Sequence, residues 1–343
     1  MDPIIKYLYD ARDEEGREKA RNQRNPARRF RASGLTDCKR QEFYRQSGWI
    51  EKPRYAVSDD YGVDGDVHHD VVRQMMLAYG IRLAGITQAE DGSTDEFMFV
   101  TQDFDVTNDN GDTASITIST RQDGWIFHED YGWMLMEIKS VGHWPYTYMA
   151  KAFFEGWKDE NGKQYPPGED AALAYIWEKK PEYIAQIMAG LAIGKERGPS
   201  NLPFDTEEQY TLDHAYLVIK NRSDCHIGYH DRDGNKDPLG GIIIPWDADL
   251  FQKILRRCQV VKGKVNDGVA PIPEYPAGSK QCSYCPFKYA CHDADKRRKQ
   301  GKEPAIVYPD PAVKVEFLPT APEEPASDCG PVRKNAGGKK RNS

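Results

Sequence analysis

The sequence lacks any apolar run of membrane-spanning length, any G-x-x-x-x-G-K-[ST] loop and any internal repeat. A helical span needs ~20 consecutive apolar residues, so no membrane partner is expected. The opening MDPIIKYLYDARDEEGREKA has no apolar stretch of secretory-leader length either. Without a phosphate-cradling glycine loop, the usual ATP-driven motor is excluded. Cysteine is scarce as well: seven in 343 residues, an odd number that cannot all pair off. A cytoplasmic protein is expected, in which clustered thiols stay reduced and point to metal or redox chemistry rather than disulfides.

What is present is a chain long enough for one large domain or two ordinary ones, with an ordinary 39% apolar content from which to build a core. Its net charge of -7 argues weakly against nucleic acid, but the charge is unevenly spread. Residues 17–45 hold ten Lys/Arg against Glu18, Asp37 and Glu42, and residues 288–302 hold six against Asp293 and Asp295. Each cluster flanks cysteines. Basic stripes of this kind suit a phosphate backbone, or are simply the solvated faces of charged helices.

Residues 1–31 read as a polar helix, and GLTDCKRQEFYRQSG as a short helix beside the first cysteine. VDGDVHHDVVRQMMLAYGIRL has helical periodicity, with Val67, Val71, Met75 and Leu77 as its apolar stripe. The acidic segment 90–112 reads as loop and edge strand. ASITISTR, WIF and WMLMEIKS carry strand signals, as do TLDHAYLVIK and GGIIIP. KPEYIAQIMAGLAIGKERG is a helix bracketed by Pro181 and Gly198, and DADLFQKILRRCQVVKGKV is an amphipathic one. Four segments follow: a basic helical segment over 1–62, a core over 63–260 with an insertion at about 144–170, a three-cysteine segment over 261–302, and a Pro-rich, basic tail over 303–343 that is expected to be disordered.

The stretch RQDGWIFHEDYGWMLMEIKS is the most informative. A hairpin centred on Asp130 sets Phe127 opposite Trp133 and Asp123 opposite Glu137, with Cβ atoms ~4.5–5.5 Å apart. Lys139 lies two residues further along and faces the same way. Two carboxylates this close repel unless a cation lies between them. A divalent metal bound through oxygens is one resolution; a surface hairpin with a weak Glu–Lys pair is the other.

The order and spacing of GDVHH (65–69), QDG with Asp123, EIK with Glu137 and Lys139, and YIAQ with Tyr183 and Gln186 resemble the PD-(D/E)XK nuclease superfamily, in its RecB-like branch. The resemblance implies an α/β, restriction-endonuclease-like mixed sheet flanked by helices. It implies that His69, Asp123, Glu137 and the Ile138 carbonyl ligate Mn²⁺ or Mg²⁺. A histidine ligand tilts the preference toward Mn²⁺. Lys139 becomes the catalytic lysine, with Gln186 and Tyr183 on a helix bordering the site. Where the branch often has Q-x-x-x-Y, this chain has Gly190, and Tyr183 stands one turn earlier.

The cysteines Cys282, Cys285 and Cys291 are spaced C-x2-C-x5-C, an uncommon zinc-finger spacing, and need a fourth ligand. Cys38, Cys225, Cys258, Cys329 and His292 are the candidates. Iron–sulfur exonucleases of the AddB type and of CRISPR systems resemble this layout, with one cysteine before the core and three after it. The resemblance implies a [4Fe–4S] cluster on Cys38, Cys282, Cys285 and Cys291 that staples the termini together, zinc being the other metal such thiolates take. The implied activity is a DNA exonuclease acting on single strands or free ends in a bacterial or phage-infected cell, alongside a separate helicase or recombination protein. A non-catalytic DNA-binding or scaffold module with the same staple is the competing expectation.

Overall fold

The computed structural model describes residues 11–12, 29–49, 51, 56–88, 94–96, 99–108, 110–197, 202–204, 207–222, 241–276, 278–288 and 290–291. In chain order the elements are β1 (Phe30–Arg31), α1 (Lys39–Gln46), α2 (Ala56–Ala78), β2 (Leu83–Ala84), β3 (Ile86–Gln88), β4 (Thr94–Glu96), β5 (Phe99–Thr107), β6 (Thr113–Arg121), β7 (Gly124–His128) and β8 (Gly132–Val141). There follow α3 (His143–Glu155), β9 (Trp157–Lys158), β10 (Gln164–Tyr165), α4 (Glu169–Lys179), α5 (Pro181–Arg197), β11 (Tyr210–Asn221), β12 (Ile242–Pro245), α6 (Ala248–Asp267) and α7 (Lys280–Tyr284). No described helix is long and apolar enough to cross a membrane.

The architecture is mixed α/β. A five-stranded sheet runs β12-β11-β8-β7-β2, with β8 and β11 parallel and the other neighbours antiparallel. A three-stranded sheet runs β1-β6-β5. The hairpin β7–β8 has the register expected, with Phe127 opposite Trp133 and Gly124 opposite Met136. Its turn depends on Gly132, whose φ of 70° lies in the left-handed region. A Cβ there would sit 2.0 Å from the Gln209 carbonyl oxygen, so the hairpin tip is also pressed against the start of β11.

Two helices cover the five-stranded sheet. Along β8, side chains alternate between faces. Trp133, Leu135 and Val141 join the large core beneath α5, where Ile184, Ile187, Met188 and Leu191 are buried. Met134, Met136 and Ile138 face the other way, against Val72 and Met76 of α2. Each such side chain contributes about 1.5–3 kcal/mol on burial. The smaller sheet packs on α6, with Phe104 edge-on to Phe251 at 5.1 Å. Helix α6 starts where the Asp247 carboxylate accepts from the Leu250 N–H, and ends at Gly268 in the left-handed conformation.

Several expectations need correction. Phe30 and Arg31 form a strand, not helix, pairing parallel with Ile118 and Ser119 of β6; residues 1–10 and 13–28 lie outside the described residues. The acidic segment does contain an edge strand, β5, but it is a full nine residues long. Its inward positions Val100, Phe104 and Val106 alternate with carboxylates that obscure the pattern. On α2 the apolar stripe faces the wrong way: Val67 and Met75 are 54% and 40% exposed, while Val72, Arg73 and Met76 are buried. An inward arginine broke the apolar period. The insertion at 144–170 holds α3, the ribbon β9–β10 and the start of α4. The 303–343 tail, Cys225, Cys329 and His292 lie outside the described residues.

Candidate active site

Asp123 occupies the gap between β6 and β7 and is 5% exposed. Its Oδ2 accepts the Ile138 N–H at 2.6 Å, which pins the carboxylate across the hairpin. Its Oδ1 lies 3.2 Å from Nδ1 of His69 on α2. One turn further along that helix, the buried Arg73 donates from Nη1 to the Asp123 carbonyl at 3.3 Å. Helix α2 is thus fastened to Asp123 at two points, and His69, rather than the adjacent His68, is the histidine at the carboxylate.

On the neighbouring strand, Lys139 Nζ donates to Glu137 Oε1 and to Gln186 Oε1, the latter at 3.1 Å. The ammonium also stands 5.4 Å from the centre of the Tyr183 ring, a cation–π distance. Burial pushes the Glu137 carboxyl up to about 7 against the pull of Lys139, and the Asp123 carboxylate adds to the rise. Burial alone would lower Lys139, but the Glu137 and Asp123 charges outweigh it and hold the ammonium above its ordinary value. The neighbouring carboxylates thus favour the charged lysine, while burial works against charge on the carboxyl. Ile138 lies between them with its side chain wholly buried, so only its main chain is available to the site.

The departure at Gly190 has a steric cause. A Cβ there would meet Leu135 Cδ2 at 2.6 Å, so any side chain at this crossing of α5 over β8 would have to displace the buried Leu135 tip. The aromatic ring beside the lysine comes from Tyr183 instead.

The four cysteines named from the sequence line one cavity of about 640 Å³. Cys38 is the residue before α1, Cys282 lies within α7, Cys285 ends that helix, and Cys291 is buried six residues on. All are free thiols. Tyr44 of α1 joins the two walls, its hydroxyl donating to the Ala290 carbonyl at 3.3 Å and its ring 5.8 Å from Phe287. Burial raises the Cys285 thiol, the Phe287 N–H opposes this, and Cys38 and Cys282 add to the rise. Cysteine sulfur is the donor type that thiophilic metals take, but the four thiols share this cavity without being gathered into a group placed to hold a metal ion. Cys258 is separate, buried on α6 and strongly raised by burial. It is a core residue.

Among the described residues, no group of three or more His, Cys, Asp and Glu side chains is closed into a ligand shell. At the hairpin site the cause is visible: Glu137 turns to Lys139 while Asp123 turns to His69. Pattern reading missed Arg73, Arg257 and Glu274. No motif marks them, and only Arg73 left a trace, as a break in an apolar helix face.

No family model and no curated protein matches the chain. Among solved structures it is similar to the crystal structure of SSO0001, at 13% identity and a TM-score of 0.37, over 85% of this chain and 97% of that one.

Proposed function

We propose that the chain is a metal-dependent deoxyribonuclease of the RecB-like PD-(D/E)XK type, built on a restriction-endonuclease-like core. The observation that carries this reading is the continuous chain Gln186–Lys139–Glu137 next to His69–Asp123. The five residues come from strand β8, the β6–β7 connection and two helices, and their proximity supports the reading. Hydrolysis adds water across a P–O bond, hydroxyl to phosphorus and proton to the departing sugar oxygen, and needs no other reactant. A Mn²⁺ or Mg²⁺ ion on His69, Asp123, Glu137 and the Ile138 carbonyl would supply Lewis acidity to the phosphate. Lys139, kept charged by its carboxylate neighbours, stabilises negative charge as it develops on the phosphate oxygens. Gln186 holds Nζ in place and the Tyr183 ring offers it a cation–π contact.

Cys38, Cys282, Cys285 and Cys291 hold a [4Fe–4S] cluster in this reading, with zinc the other metal their chemistry admits. The substrate is DNA, single-stranded or with free ends, handled in the cytoplasm together with a separate helicase or recombination protein. End-labelled single- and double-stranded DNA with Mn²⁺ tests the proposal. The parent chain is expected to cleave, and Glu137→Gln and Lys139→Ala to lose at least ~100-fold of that activity while staying folded. Undiminished cleavage by either variant would overturn the site.

A further inference from the structure

The helix that follows the candidate catalytic strand holds two aromatic rings in solvent. Trp144 is 68% exposed and Tyr148 56%. Four residues apart on α3, they share one helix face with a rise of ~6 Å between them. The opposite face, with Tyr146, Met149, Ala152 and Phe153, fills the core, to which neither exposed ring belongs.

Exposed apolar side chains scattered singly are ordinary. This pair has three features beyond exposure. The His143 ring lies 5.4 Å from Trp144, edge-on, and adds a third ring beside the pair. From His143 to Phe154 the helix carries Lys151 and no carboxylate, in a chain whose net charge is -7. The first acid, Glu155, pairs with that lysine at 3.6 Å. Lastly, Trp144 is five residues beyond Lys139. A fully extended chain covers at most ~3.6 Å per residue, so the two Cα atoms lie within about 18 Å. At ~3.4 Å per stacked nucleotide of one strand, that is about five nucleotides or fewer.

Aromatic rings on a helix that itself carries no carboxylate before Glu155, a few nucleotides from a phosphodiester site, match what a single strand requires: every base offers a π-face. We infer that Trp144 and Tyr148 are a stacking platform for the bases of a single-stranded nucleic acid leading to Glu137 and Lys139. The inference rests on the nuclease reading above and names how that site grips its substrate.

The test uses the full chain carrying Glu137→Gln, so that bound DNA stays intact, with and without Trp144→Ala and Tyr148→Ala. Fluorescein-labelled oligo(dT) is titrated by anisotropy alongside an abasic strand of equal length. The ring variant is expected to bind oligo(dT) at least about tenfold more weakly. Its affinity for the abasic strand and its salt slope should be unchanged, because no phosphate contact is lost. Trp144→Phe should restore most of the binding, and the melting temperatures should coincide. Equal oligo(dT) affinity in parent and ring variant would overturn the platform. So would an equal loss on the abasic strand, or a loss confined to self-association. Cleavage by the native chain separates the two ideas. With Lys139-dependent cleavage and unaffected oligo(dT) binding, the platform alone fails. With no cleavage but ring-dependent binding, the nuclease reading alone fails.

Discussion

Arg257 and Glu274 face each other as a two-pronged ion pair, Nη1 to Oε1 and Nη2 to Oε2, both at 2.6 Å. The same groups grip the first cysteine from either side. Arg257 Nη2 also donates to the Asp37 carbonyl, and Glu274 Oε2 accepts the Lys39 N–H at 2.9 Å. Cys38 is thus clamped between two main-chain contacts more than 200 residues away in sequence. Below it, Arg45 binds Glu42, Asp37 and Glu51, which fixes the start of α1. These contacts set Cys38 in the wall of the cysteine cavity.

This clamp should make stability depend on pH with a definite sign. Burial alone would raise the Glu274 carboxyl, but hydrogen bonds from Arg257 and Lys39, with their charges, hold it down at about 2, against an ordinary 4.5. A carboxyl lowered by folding adds stability above its unfolded value, and that stability disappears as pH falls through the folded one. Urea melts of the parent and of Glu274→Gln should differ by a constant amount near neutrality. The gap should close from about pH 4.5 downward. Both side chains keep about a quarter of their surface open, so solvent weakens the pair and the trend is the decisive readout. A gap that widens on acidification would contradict the clamp.

The cysteine cavity predicts a colour. Anaerobically purified protein should show the visible absorbance of thiolate–iron charge transfer, and Cys38→Ser or Cys285→Ser should each lose it. Cys258→Ser should keep it, since that thiol lies in the α6 core. A colourless preparation with stoichiometric zinc would replace the cluster by zinc; equal colour in Cys38→Ser would remove that residue from the site.

The hairpin site was legible because its information is local. Asp123, Glu137 and Lys139 lie within 17 residues, and the period of a strand with one glycine turn fixes their faces. Tyr183 and Gln186 were legible only as a motif, since nothing local says which strand a helix will cover. The α2 face was misread because Arg73 is buried for a hydrogen bond to the Asp123 carbonyl, and apolar periodicity cannot register such a contact. The Arg257–Glu274 clamp was invisible for a related reason. It works largely on main-chain atoms of residues 37 and 39, more than 200 residues away, and the one side chain there that joins it, the Lys39 ammonium 3.4 Å from Glu274 Oε1, belongs to no motif.

Gly132 should be the least replaceable residue of the hairpin. Its φ of 70° costs an L-residue about 1–2 kcal/mol, and a Cβ would collide with the main chain at Gln209, which cannot move aside like a side-chain tip. Gly132→Ala should therefore lose more than ~2 kcal/mol in denaturant melts. By contrast, Gly111→Ala, at φ 86° with open space around it, should cost only the backbone term. Equal losses at the two positions would show that the Gln209 contact is not what holds the tip.

The last prediction concerns the ring beside Lys139. If the aromatic face matters, Tyr183→Phe should keep it and cleave DNA nearly as well as the parent. Tyr183→Leu should lower cleavage several-fold, in line with ~0.5–2 kcal/mol for a cation–π contact. The hydroxyl is dispensable on this view, because burial raises its pKa and keeps it neutral. Moving the ring to the position the RecB-like motif favours should fail. In Gly190→Tyr the new Cβ would meet Leu135 Cδ2 at 2.6 Å, with a whole ring behind it. Overpacking of that kind costs ~1–3 kcal/mol or more and parts α5 from β8. Because Gln186 lies on the same helix, Gly190→Tyr should lose both thermal stability and cleavage, even combined with Tyr183→Leu. Rescue of Tyr183→Leu by Gly190→Tyr would mean that α5 can accommodate the ring at either place, and that Tyr183 is not tied to the close crossing at Gly190.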